Sequence, residues 1–289
     1  MAITAALVKE LRDRTGLGMM DCKKALTETD GNVEQAIEEL RKKSALKAAK
    51  KAGRTTANGL LGVKISTDAK QAAMVEVNSE TDFATKSDKF LSFLDTALGA
   101  VFDRGDDDLE QLLADGLNSV RETLVQEIGE NITVRRAAFF ATEDGYITSY
   151  LHGDKRKAVL VELSAPNEEL GRDLAMHVTA SSPLVVAATD VDKDLLAKER
   201  EIYLAQAQES GKSAEIIEKM VDGRVRKYLA EVSLLDQPFV KDLSVKVGTL
   251  LADADVACRR FVRFEVGEGI EVSQSDFADE VAAQVKSSG

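Results

Sequence analysis

Residues able to do covalent chemistry are sparse in this chain and are not grouped. There are two histidines, His152 and His177, and neither belongs to a cluster of Cys, Asp or Glu at metal-ligand spacing. The two cysteines, Cys22 and Cys258, stand in unrelated contexts and read as small buried thiols, a usage suited to a reducing cytosol. Ser210-Gly211-Lys212-Ser213 echoes the end of a phosphate-binding loop, but that motif needs a glycine where Gln206 stands and a strand before it. Gly267-Glu268-Gly269 begins like a dinucleotide fingerprint, yet Val272 occupies the third glycine position. No Ser or Cys has an identifiable base. The expectation is a binding protein without cofactor or resident metal, not an enzyme.

One polar run stands apart. The apolar segment Met74 to Val77 ends at Asn78-Ser79-Glu80-Thr81-Asp82, and Phe83 follows directly. Ser79 and Asp82 have capping-box spacing and are expected to start the next helix. Phe83 is not explained by a cap, and Ser87 is a poor apolar partner for a staple back onto that helix. An aromatic on a rigid polar turn is expected to point outward and to insert into a pocket on a partner.

Several elements must position that turn. Residues 4–44 read as three short helices broken at Thr15-Gly16-Leu17-Gly18 and Asp30-Gly31-Asn32. Their shared core would hold Leu7, Val8 and Leu11, then Cys22, Ala25 and Leu26, then Val33, Ala36, Ile37 and Leu40. The middle of the chain is weakly duplicated. Ala73 to Asn78 resembles Val159 to Ser164, with Glu76 matching Glu162 at an offset of 86; Val134 to Phe139 resembles Cys258 to Arg263, with Arg135 matching Arg259 at an offset of 124. Each copy has a preceding strand (Leu61 to Ile65, Tyr146 to Leu151) and a following helix (Asp88 to Val101, Glu168 to Ala180). The second copy carries 38 more residues than the first, and the insertion is located at about Lys193 to Leu229, rich in helix formers and interrupted at Ser210-Gly211-Lys212. That segment is expected to form an antiparallel helical hairpin, a handle for a partner or for a second copy of the chain.

The fold class is therefore α+β with antiparallel sheets. Expected units are an N-terminal helical module with a basic hinge at 1–54, core halves at 55–140 and at 141–190 with 230–269, the hairpin at 191–229 and a helical tail at 270–289. The formal net charge is −12 across 289 residues, but residues 1–54 carry 12 Lys/Arg against 8 Asp/Glu. The acidic remainder argues against broad nucleic-acid binding. Arg41 to Arg54 holds seven Lys/Arg and no acid. A nucleic-acid arm is one reading of that run; lacking aromatics, it reads better as a solvated hinge. No apolar run approaches the roughly 20 residues of a membrane span, and Met1-Ala2-Ile3-Thr4 lacks a signal pattern, so the expected location is the cytoplasm.

Two long segments are similar to known signatures. Leu11-Arg12-Asp13-Arg14-Thr15-Gly16-Leu17-Gly18-Met19-Met20-Asp21-Cys22-Lys23-Lys24-Ala25-Leu26 resembles the N-terminal signature of the elongation factor Ts family, and Glu76-Val77-Asn78-Ser79-Glu80-Thr81-Asp82-Phe83 resembles its second. The resemblance continues through Phe239, the run from Arg263 to Ile270 and the tail. It implies a module like a ubiquitin-associated domain, a duplicated core, a coiled-coil hairpin and a C-terminal helix. It also implies a guanine-nucleotide exchange factor that expels GDP from the GTPase elongation factor Tu. By resemblance, Asp82 and Phe83, flanked by Thr81 and Ala84, wedge beside the GTPase's nucleotide and dislodge its magnesium. Arg12, Met19 and Met20 grip the GTPase domain, His152 lies near the interface, and Asp276 and Phe277 in the tail contact it as well. Ala84 departs from the family's usual Val. The competing reading is a nucleic-acid or ubiquitin-type adaptor built on the N-terminal module.

Overall fold

A computed structural model describes residues 3–271; Asp276, Phe277 and the expected C-terminal helix lie outside the described residues. Three helices open the chain, α1 (Ala5–Thr15), α2 (Met19–Glu28) and α3 (Val33–Lys51). Thr4 caps α1 by accepting from Leu7 N, and Asn32 caps α3 by accepting from Gln35 N. Gly16 ends α1 in the left-handed conformation that spares glycine a Cβ clash. Val8, Leu11, Leu17, Cys22, Ala25, Leu26, Ala36 and Leu40 form the module's core.

The basic segment is not a hinge. Helix α3 runs on to Lys51, so most of Arg41 to Arg54 is helical. Ala48 is buried, Ser44 donates to Gln126 Oε1 at 2.6 Å, and Lys51 donates to the Gly129 carbonyl. Its cations are also partly neutralised. Lys42 pairs with Glu38 and Glu39, Lys43 with Glu28, and Arg54 with Glu80. Helix propensity continued where composition suggested a linker, and packing against the core fixed it.

The core follows as β1 (Asn58–Ile65), β2 (Gln71–Ser79), α4 (Asp88–Arg104), α5 (Leu109–Leu112), α6 (Asn118–Ile128) and β3 (Ile132–Ala141). The second half is β4 (Tyr146–Leu151), β5 (Lys157–Leu163), α7 (Glu168–Ser181), α8 (Lys193–Gln208), α9 (Ala214–Val232), β6 (Pro238–Phe239), β7 (Asp242–Lys246), α10 (Val247–Asp253) and β8 (Cys258–Glu265). The extra residues of the second half are α8 and α9, packed as a hairpin, with Gly211 left-handed in the turn that mimicked a phosphate loop. Helices α5 and α6 and the small β6–β7 ribbon carry no comparable sequence signal.

The two antiparallel sheets have orders β1-β2-β3 and β4-β5-β8. Each central strand is buried on both faces. Ala73, Val75 and Val77 of β2 meet the α4–α6 layer, whereas Ala72 and Met74 meet Ala158 and Leu160 of β5 between the sheets. The register shifts after Glu76 in one sheet and after Glu162 in the other. The duplication therefore extends to the bulge.

The halves grip one another reciprocally. Leu61 N donates to Lys155 O at 2.8 Å, and its counterpart Ile147 N donates to Ala69 O at 2.9 Å. Thr142 N donates to Lys70 O at 3.0 Å and Val266 N to Arg156 O at 2.8 Å. Buried Glu76 accepts from Arg135 and Arg136 at 3.2 and 2.5 Å, and buried Glu162 accepts from Arg259 and Arg260 at 3.3 and 2.7 Å. Arg136 then donates to Glu265 O, and Arg260 to Ala141 O, each across the interface. A buried carboxylate is tolerated because charge-assisted bonds replace its hydration.

The Arg259 cluster has a pH signature. A hydrogen bond from Arg259 lowers the Asp144 carboxyl to about 2. At Glu162 burial raises the pKa, but hydrogen bonds from Arg260, Thr142 and Arg259 outweigh it, so the net direction is down. Both carboxyls are lower folded than unfolded, so their stabilisation is complete above the ordinary carboxyl range and is lost as pH falls towards about 2. Thermal melting between about pH 5 and pH 2 is expected to show this decline, with a shallower slope in Asp144→Asn.

Candidate functional site

The Phe83 turn is built at the end of β2. Asn78 is buried and donates to Thr56 O at 3.0 Å, which joins the strand end to the segment after α3. Ser79 is also buried, and its hydroxyl donates to Thr81 O at 2.8 Å. Residues Ala84–Lys86 form one 3₁₀ turn, stabilised by Thr85 Oγ1 donating to Asp82 O at 2.7 Å. Only then does α4 begin, capped by Ser87, whose hydroxyl accepts from Lys89 N at 3.3 Å.

This corrects the capping expectation. Ser79 and Asp82 do not start α4, because the strand end and the 3₁₀ turn stand between them and its first residue. Spacing alone could not distinguish a capping box from a strand end with a hydroxyl turned back on its own loop.

Phe83 is 76% exposed at the tip of this turn. Lys86 Nζ lies 4.9 Å from its ring centroid and 2.9 Å from Asp82 Oδ2, so one cation spans both residues. The Asp82 carboxyl is held below its ordinary range, chiefly by the hydrogen bond from Lys86. The β4–β5 turn lies against β1, with Leu61 N donating to Lys155 O at 2.8 Å, and its Arg156 adds a smaller effect of the same sign. Asp82 is therefore an exposed, ionised carboxylate beside an exposed ring. Ala84 is buried, so its methyl faces the body of the protein, and a larger side chain there would press inward.

Two carboxylates that sequence reasoning did not assign tie the turn down. Glu130 accepts from Thr81 N at 2.9 Å and from Thr81 Oγ1 at 2.7 Å. Glu80 accepts from Asn131 N at 2.6 Å, and Asn58 Nδ2 donates to Glu80 O at 3.0 Å. Glu130 is far from the turn in sequence, and no local pattern marks it.

Of the remaining expected site residues that the structure describes, Arg12 lies on α1, Met19 and Met20 begin α2, and His152 lies in the β4–β5 turn. Met19 and Met20 open α2 and are 59% and 76% exposed. Arg12 is exposed on α1 and pairs with Asp13 at 3.0 Å. The α1–α2 loop rests on the first turn of α4, where Lys89 donates to Gly16 O at 3.5 Å and pairs with Glu127 at 2.9 Å. Gly16 has φ +70°, a conformation that favours glycine, and the Glu127 carboxylate closes over it. His152 sits half-exposed in the β4–β5 turn, with Nδ1 2.9 Å from Asp154 Oδ1. Its counterpart by offset is Ser66, and both donate their N–H across the turn, to Lys157 O and Gln71 O. His177 is buried, its rings of partners being Gln237 and the Val240 N–H, and burial lowers its pKa.

Among the described residues no group of three His, Cys, Asp or Glu could hold a metal ion. Cys22 and Cys258 are buried free thiols, and burial pushes Cys258 up to about 12. Gly267, the first glycine of the dinucleotide-like run, donates to Glu76 Oε1 at 3.0 Å and serves the core. Among the described residues no helix is long and apolar enough to cross a membrane.

Comparison with known proteins supplies a family. The model described as Elongation factor TS matches residues 80–268. A protein called elongation factor Ts in Hahella chejuensis is 55% identical over 285 residues, covering 99% of both chains. Its namesake in Saccharophagus degradans is 54% identical over 288 residues, covering 100% of this chain and 99% of that protein. A third, from Methylococcus capsulatus, is 51% identical over 294 residues, covering 100% of both. These similarities include the N-terminal helices that precede residue 80.

An exposed ring supported by few intramolecular contacts contributes little to folding. Phe83→Ala is expected to change unfolding free energy by less than about 0.5 kcal/mol, as read by urea denaturation.

Proposed function

The chain belongs to the elongation factor Ts family and is a translation elongation factor of protein biosynthesis, and from that premise we propose that it expels guanine nucleotide from elongation factor Tu. It acts by binding and not by covalent chemistry, in the cytoplasm, without membrane or nucleic-acid contact. The observation that carries this reading is Phe83: a ring largely out in solvent on a turn fastened at both ends, beside an ionised Asp82.

The mechanism is a coupling of two binding equilibria. A partner that binds the GTPase better empty than GDP-loaded weakens GDP binding by the same factor. Burying one phenylalanine contributes about 1.5–3 kcal/mol, and each 1.4 kcal/mol of differential contact is about tenfold. Phe83 thus has one to two decades to offer, since little of its surface is already buried. Asp82 brings negative charge to the place where the GTPase holds phosphate and magnesium, and so competes with that ion's ligands. Thr81 and Ala84 shape the turn that presents both.

The other contacts hold the complex together. Arg12, Met19 and Met20 grip the GTPase domain, His152 contributes from the neighbouring turn, and Asp276 and Phe277 contribute from the tail. The α8–α9 hairpin leaves Ile202, Leu204 and Ile216 exposed, an apolar surface for the GTPase or for a second copy of this chain. The adaptor reading is less well supported, because the basic run that motivated it is helical and packed on α6 and is not a free arm.

Two measurements separate the wedge from the grip. In stopped-flow release of a fluorescent GDP from elongation factor Tu, Phe83→Ala is expected to slow the saturated rate by about 10-fold or more while the complex still forms. Unchanged release would remove the wedge. Met20→Ala is expected to raise the concentration needed for half-maximal release and to leave the saturated rate near that of the parent protein. A fall in the saturated rate instead would place Met20 in the expulsion step.

A further inference from the structure

We propose that Glu130 is the positioning residue of the exchange site, holding the Phe83 turn in its projecting geometry from outside the motif that carries it. This rests on the exchange reading of Phe83. The bonds within the turn are local: Ser79 to Thr81, Thr85 to Asp82, and Lys86 to Asp82. They give the turn its shape but do not tie it to the body. Glu130 does, because both carboxylate oxygens are engaged by one residue, with Thr81 N–H on one and Thr81 Oγ–H on the other. Two parallel bonds from a single residue fix orientation as well as position. Thr81 Oγ1 in turn accepts from Ala84 N at 3.4 Å, so the clamp is passed to the residue after Phe83.

The junction that presents Glu130 is itself fixed. Gly129 closes α6 in the left-handed conformation with φ +85°, and Lys51 donates to its carbonyl. Glu80 returns the contact by accepting from Asn131 N. Two neighbouring carboxylates therefore each take the backbone N–H of the other's adjoining residue, and the α6–β3 junction and the Phe83 turn move as one body.

The second half of the core supplies an internal control. The halves match in sheet order, bulge position, buried Glu, paired Arg and reciprocal backbone contacts. They differ at the strand-to-helix connection. It spans 80–87 between β2 and α4 but only 164–167 between β5 and α7. There Asn167 caps α7 directly, accepting from Leu170 N. By the same offsets Thr81 corresponds to Asn167, Phe83 to Glu169 and Glu130 to Ala254. A clamp needed by the fold would recur in both halves. This one occurs only where a phenylalanine is held out in solvent.

The test uses the full chain and elongation factor Tu loaded with fluorescent GDP. Glu130→Ala is expected to lower the saturated release rate roughly tenfold with little change in the half-maximal concentration, since the grip on α1 and α2 is untouched. In the Phe83→Ala background the same substitution is expected to cost nothing further, because Glu130 acts through that ring. Glu130→Gln, which keeps one acceptor, is expected to retain an intermediate rate. The Thr81 amide is expected to exchange hydrogen faster in Glu130→Ala, a readout that needs no GTPase. Wild-type release by Glu130→Ala and Glu130→Gln, or an undiminished loss in the Phe83→Ala background, would overturn the assignment. Should Glu130→Ala fail to fold, the Glu130→Gln rate decides between these outcomes. If the unaltered chain does not accelerate GDP release, the exchange reading itself fails, and this assignment falls with it.

Discussion

Glu76 and Glu162 each place a carboxylate on the inner face of a sheet, at the edge of an apolar layer made by Met74, Leu160, Phe140 and Phe264. A carboxylate there is costly unless it is paired and fully hydrogen-bonded. Each is met by two arginines from the adjacent strand of its own half, and those arginines reach into the opposite half. Arg136 stacks over Phe264 at 4.2 Å and bonds Glu265 O; Arg260 stacks over Phe140 at 4.0 Å and bonds Ala141 O. The carboxylate in one half thus orients the cation that docks on the other. Breaking either cluster would leave a buried charge and also remove an arginine's stacking and hydrogen bond across the interface between the sheets.

That rigidity determines what the loops can do. Both central strands are locked on both faces, so their ends are fixed points, and the connections leaving them need only short supports. In the second half the chain passes straight from strand to helix through the Asn167 cap. In the first it takes a longer route, and the surplus residues form the 3₁₀ turn with Phe83 at its crest. The duplication gives two equivalent frames, and the longer connection makes them structurally unequal. The α8–α9 hairpin is the corresponding elaboration in the other half.

Much of this was legible in the sequence because the duplication repeats its own signals. The Glu76–Glu162 and Arg135–Arg259 matches reveal paired strands without any structural information, and the 38-residue difference locates the hairpin. Phe83 stood out because an aromatic after five polar residues suited neither strand nor helix start. Other features depended on contacts that leave no local trace. Glu130 and Thr81 are 49 residues apart, and Gly129-Glu130-Asn131 reads as an ordinary helix end. The α3 extension was misread because only Ser44 and Ala48 of its C-terminal half are buried, too few to imprint a helical apolar stripe. Ser79 and Asp82 fitted a pattern that short peptides satisfy readily, and tertiary context overrode it.

Under the proposed exchange function, the same contrast assigns grip and wedge to different parts of the chain. A surface that merely adheres binds the empty and the nucleotide-filled GTPase alike and shifts nothing, however tight it is. Expulsion requires a group whose contacts differ between the two states, and that group must resist being pushed aside by the nucleotide it displaces. Met19 and Met20, with flexible side chains at the start of α2, suit adhesion. Phe83 has a stiff ring, a turn closed by bonds among its own residues and a tether to the α6–β3 junction. Deflecting it would mean moving the end of a strand that is buried on both faces and joined through Glu76 to the opposite sheet. The stiffness needed at the tip is therefore inherited from the paired carboxylates in the core.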